Sequence, residues 1–171
     1  MVATRPSLCE RIEKAFAHRQ MPTEVVEPEA YIQFDSDVED ALTFAGKDWR
    51  EITREHWSKH YCTFYFLSHE ALAYYLPSLL IIPLADGLDH MDMAVDSLIH
   101  DLDRTPPSSP EDFPFECRLA GLTCDEYEAI KEWLLFVCER VPRLAVGAAK
   151  GGPGDLFGRA FDTICLLQKG L

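Results

Sequence analysis

The sequence predicts an all-α fold: a single compact multi-helix domain, with room for one short strand near residues 63–67. Three observations carry that prediction. Apolar residues recur at helical spacing, most regularly at Leu88, Met91, Val95, Leu98 and Leu102, which are 3, 4, 3 and 4 residues apart. Helix-start chemistry precedes several such segments: Ser7, Thr53 and Ser68 as caps, and Thr123 with Glu126 in capping-box spacing. Alternating apolar and polar residues, the mark of a half-buried strand, are nearly missing. A chain of 171 residues fits one domain. At that length about 70% of the unfolded surface is buried on folding, without a disulfide or metal staple.

Each element follows from local signals. Ser7 caps a first helix over 8–19, with Leu8, Ile12, Ala15 and Phe16 on one stripe. Residues 20–37 hold two prolines and several acids without periodicity and read as an acidic loop. A short helix follows over 38–44 and stops at Gly46, and Thr53 caps another over 54–61. Residues 63–67 are aromatic enough for a brief strand or a buried connection. Ser68 then caps a helix whose Glu70 favours the positive end of the helix dipole, and which should bend or break near Pro77. Ala71 to Ala85 carries no charge. It is shorter than the roughly 20 residues of a membrane span and contains Pro77 and Pro83, so it reads as a buried core helix and no membrane association is expected. After the 88–102 helix, four prolines make 105–114 an extended loop. The helix behind Thr123 puts Tyr127, Ile130, Leu134, Val137 and Val141 on one face. A Gly-rich connector over 147–154 leads to a last helix over 155–168.

Charge narrows the function classes. The chain has 29 acidic and 16 basic residues, a formal net charge of −13. Phosphate binding needs clustered Lys and Arg, so nucleic acid is excluded as a partner. The acidity lies in two blocks, −7 over residues 20–46 and −9 over 56–126, while 47–55 is neutral. Six cysteines are scattered without a C-x-x-C pair, and residues 1–20 have no apolar core like that of a secretory signal. Reduced thiols in a cytoplasmic protein are the expectation.

One segment stands out. It begins at Asp48-Trp49-Arg50-Glu51 and continues through Trp57, His60-Tyr61 and Phe64-Tyr65-Phe66-Leu67-Ser68. It then passes Glu70-Ala71 and ends at Tyr74-Tyr75-Leu76-Pro77. This pattern, D-W, F-L-S-x-E-A and Y-Y-L-P, resembles a family of small bacterial proteins known only as a domain of unknown function. The resemblance extends to Ile12–Phe16 and Pro22 and, more weakly, to Thr123–Phe136, covering about residues 10 to 140. It implies a single bacterial, cytoplasmic domain and says nothing of chemistry. Physically, the aromatic rings suit an N-terminal core, because buried Tyr and Trp need polar partners that a fold supplies. The alternative is a pocket lined by Trp49, Tyr74 and Tyr75, with Arg50 and His60 as polar anchors.

Catalytic and metal motifs are incomplete. His56, His60 and Cys62 have ligand-like spacing but no evident third or fourth ligand, and His69-Glu70 lacks the second histidine of H-E-x-x-H. No E-x-x-H, G-x-S-x-G or P-loop occurs. Cys117 and Cys124 have no base beside them in sequence, and acidic surroundings raise a thiol pKa. No metal and no cofactor is expected. Asp89, Asp92, Asp96, His100 and Asp103 are spaced 3, 4, 4 and 3, which aligns them on one helix face. Such a ridge reads as a solvated face or as a surface for a basic partner; it lacks the glycine of a calcium loop. The functional expectation is therefore a non-catalytic acidic binding or regulatory protein, of inhibitor or immunity type, that meets a basic protein at the 20–46 loop or the Asp89–Asp103 ridge. The alternative is an enzyme or small-ligand binder with a pocket near residues 49–77.

Overall fold

In a computed structural model of the chain, the residues described are 7–27, 35–59, 63–86, 93–103, 118–140 and 156–170. Eight α-helices and one 3-10 turn make up the regular structure among them. Expectations for 105–114 and 147–154 fall outside these residues.

Helix α1 (Leu8–Phe16) starts where Ser7 places it, and more firmly than a lone cap would. Glu10 donates its backbone N–H to the Ser7 hydroxyl at 3.2 Å, while its carboxylate accepts the Ser7 N–H at 2.6 Å. It ends at Phe16 rather than Arg19, and the chain then turns through 17–18. Helix α2 (Asp35–Leu42) begins three residues before the expected start. Turns follow to Gly46, whose φ of 72° suits glycine and redirects the chain. Asp48 and Glu51 form a second capping box around the 3-10 turn Trp49–Glu51. Helix α3 (Arg54–Lys59) starts behind Thr53, with His56 in the position where a capping box holds Glu or Gln. The Thr53 N–H donates to His56 Nδ1 at 3.1 Å.

Residues 63–67, open to a brief strand or a buried connection, form one helical turn, α4 (Thr63–Phe66), in place of a strand. Only Leu67 takes strand geometry, in an isolated antiparallel bridge to Val26. Phe64 is buried on the core side of this turn while Tyr65 faces solvent, a division that one turn of helix also provides. Ser68 then caps α5 (His69–Asp86): its hydroxyl accepts the Ala71 N–H at 3.2 Å and donates to the Glu24 carbonyl at 3.0 Å.

Pro77 does not break α5; both Pro77 and Pro83 lie inside the helix. Each proline removes one backbone hydrogen bond. Side chains engage the carbonyls nearby: the Ser78 hydroxyl donates to Tyr75 at 2.7 Å, and the Trp133 indole to Leu80 at 2.8 Å. Residues 71–80 are all buried, so packing on every side holds the helix against the local cost.

α5 is the centre of the molecule. It packs against α1, the 3-10 turn, α3 and α6 (Met93–Asp101). Helix α7 (Cys124–Arg140) lies against α1 and against α8 (Leu156–Gln168), and α8 also touches α6. The stripe expected on α7 is buried at Tyr127, Ile130, Leu134 and Val137, and Trp133 joins it. On α6, Val95 and Leu98 are buried with Leu102 just beyond the helix; Leu88 and Met91 fall outside the described residues.

Candidate functional site

The aromatic segment assembles from three pieces: the 3-10 turn, α3 with α4, and the first half of α5. Trp49 is buried, and Arg50 stays exposed with its guanidinium 4.2 Å from the Trp49 ring centre and 3.3 Å from Asp48. Tyr74 is buried, its ring edge-on to that of Tyr75 with centres 4.9 Å apart. Burial, followed by the Asp48 carboxylate, pushes its pKa up. Tyr75 has no exposed surface, and its hydroxyl donates to the Phe44 carbonyl at 2.5 Å, with the Lys47 carbonyl at 3.3 Å. Desolvation pushes this phenol up to about 12. Phe44 meets Tyr75 and Trp57 edge-on, with ring centres 5.3 and 4.8 Å apart, and the Trp57 indole donates to Ser78 at 3.0 Å.

Trp49, Tyr74 and Tyr75 thus come together as packed rings, with Arg50 outside them. His60, the other anchor of the pocket reading, lies outside the described residues, as does Cys62. Among the described residues no three His, Cys, Asp or Glu side chains gather where they would hold a metal ion.

The aspartate ridge divides. Asp96 is exposed; desolvation raises its carboxyl pKa and His100 partly offsets that. Asp103 is half-buried and bonded by Arg159 of α8 through two nitrogens, one at 3.0 Å. It is a tether between elements as well as a negative charge. Asp89 and Asp92 are outside the described residues.

Sequence reasoning missed the most buried charge among the described residues. Glu126 was legible as the capping partner of Thr123, whose N–H it accepts at 2.6 Å. Yet it also has no exposed surface and takes Nε and Nη2 of Arg19 at 2.6 and 2.7 Å, across 107 positions of sequence. Burial raises its pKa, but the bonds from Arg19 and Thr123 more than offset this and leave it below the ordinary value. No local pattern announces a pair so far apart.

Other basic side chains also point inward. Arg118 donates to the carbonyls of Phe64 and Leu67, and Lys47 to that of Thr43. Arg11 pairs with Glu132 at 2.6 Å across the α1–α7 seam. Two open hollows along that seam, about 270 and 430 Å³, share this pair and carry both signs of charge. Four basic side chains are exposed among the described residues, Lys14, Arg50, Arg140 and Lys169, against thirteen acidic ones.

These features define a class: an all-α domain built round one apolar helix, aromatic within and acidic without. The chain belongs to a family of unknown function, DUF6714, whose model matches residues 4–146. That range contains the entire D-W to Y-Y-L-P segment and ends between α7 and α8. No curated protein and no solved structure is significantly similar to the chain.

Proposed function

We propose that this protein is a non-catalytic binding or regulatory protein, of inhibitor or immunity type, that engages a basic protein partner through its acidic surface in a bacterial cytoplasm. The observation that supports this most is the direction of its charges. Among the described residues, Arg19, Arg118 and Arg159 are engaged inward by carboxylates and carbonyls, so the exposed surface there is more one-sided than composition alone implies. An acidic field of this kind speeds encounter with a cationic partner and sets its orientation more than it adds affinity.

Two further observations favour binding over catalysis. The distinctive aromatic residues are engaged in packing, and the Tyr75 hydroxyl already serves backbone carbonyls. Of the two acidic regions, the 20–46 block presents Glu24, Glu27 and Glu39 exposed, whereas the ridge has Asp103 held by Arg159. The partner therefore meets the 20–46 block. Pull-down from a lysate of the source cells at low and at high salt tests the reading. A basic protein retained at about 50 mM salt and released at about 500 mM is expected, since exposed charges are screened within a few ångströms at the higher value. The absence of any salt-sensitive basic partner contradicts it.

A further inference from the structure

The packed pair α1 and α7 leaves one face open to solvent, and that face is sorted by residue type. At one end Lys14 of α1 borders the hollow of about 270 Å³ together with Asp125 and Glu128 of α7. In the middle Arg11 meets Glu132 at 2.6 Å. At the other end Leu8 borders the hollow of about 430 Å³ with Leu135 and Phe136. The two helices therefore run antiparallel. Around the first hollow the charges divide by helix, cations on α1 and carboxylates on α7. Lys14, Asp125 and Glu128 are exposed, and Leu135 keeps 54% of its surface exposed in the body of a helix. Lys14 and Arg140, two of the four exposed basic side chains among the described residues, both lie on this face. Elsewhere the described surface is acidic and repels a second copy of the chain.

We propose that the α1–α7 face is a homodimer interface, with a twofold axis along the seam that lays each α1 on α7 of the partner subunit. Rotation about that axis keeps like ends together and exchanges the two helices. Lys14 then faces Asp125 and Glu128 of the partner subunit, Arg11 the partner's Glu132, and Leu8 the partner's Leu135. An axis across the helices would instead set α7 on α7 and the charged end on the apolar end, so the charges select one arrangement. Such self-complementarity is what a twofold interface requires. The face is about 25 Å long and two helices wide, which buries on the order of 1,000 Å² over both copies, the size of a reversible contact. The proposal is independent of the acidic-surface reading, which concerns the 20–46 block.

Sedimentation equilibrium of the full chain tests it. A dimer with a Kd on the order of 10 μM is expected. Leu135→Glu weakens it at least about tenfold, because the apolar contact is lost in both halves of the interface. Lys14→Glu and Asp125→Lys each weaken it about tenfold, since each sets like charges together twice. An equimolar mixture of these two variants recovers the parent affinity as a heterodimer, because both contacts are then between opposite charges. A folding defect in either variant cannot produce that recovery. A parent chain that stays monomeric at about 300 μM overturns the proposal. So does a dimer that both charge substitutions leave intact, or a mixture no tighter than the variants alone.

Discussion

Tyr75 and Glu126 show how single side chains hold this fold. Tyr75→Phe keeps the ring but leaves the Phe44 and Lys47 carbonyls short of a donor, at a cost of about 1–3 kcal/mol. Urea denaturation measures it; a variant as stable as the parent contradicts the packing role. Because this phenol titrates at about 12 against an ordinary 10, the unfolded chain ionises first. Stability should fall as pH rises from 10 toward 12. Glu126 works in the opposite direction. Its folded pKa lies below the ordinary 4.5, so its contribution is complete above 4.5 and disappears as pH falls through the folded value. Glu126→Gln removes one partner of a buried pair and should cost about 3 kcal/mol at neutral pH. The variant should also lose part of the acid dependence below pH 4.5; an unchanged acid profile counts against the assignment. At this scale the sequence was half legible. Thr123 and Glu126 revealed a cap, but Arg19 reaches Glu126 only through tertiary packing.

At the scale of elements, the caps and stripes were readable because both are local. Ser7, Thr53, Ser68 and Thr123 each precede a helix, and the described residues of the stripes on α1, α6 and α7 face the core. In two elements one of the two expected alternatives, the strand at 63–67 and the break near Pro77, is not found, for physical reasons. Residues 63–66 are rich in aromatics, which suit a strand, yet one helical turn lets Phe64 enter the core while Tyr65 stays out. Pro77 and Pro83 argue locally for a break, but α5 is apolar on all sides and its neighbours on every side favour a continuous helix. Ser68 ties the start of that helix to Glu24 as well as capping it. Ser68→Ala is expected to cost about 1–2 kcal/mol and to speed hydrogen exchange in the first turn of α5. Protection unchanged in that turn would mean that packing alone sets the start.

At the scale of the whole molecule, fold class, central helix and family motif were all legible, because composition, periodicity and a sequence segment carry them. The inward direction of Arg19, Arg118 and Arg159 was not, since each is engaged by a carbonyl or carboxylate distant in sequence. That arrangement leaves self-repulsion among exposed carboxylates. Raising salt from about 10 to about 150 mM should therefore raise Tm, because screening relieves repulsion while the buried Arg19–Glu126 pair is little affected. A Tm that falls with salt would show exposed ion pairs to dominate. The central claim is that the acidic face around residues 20–46 recruits a basic protein. Capture by the parent chain and by a Glu24→Lys, Glu27→Lys, Glu39→Lys variant of matched thermal stability, quantified by mass spectrometry at low salt, tests it most directly. Loss of the basic protein from the variant is the predicted result, and equal capture by both chains would contradict it.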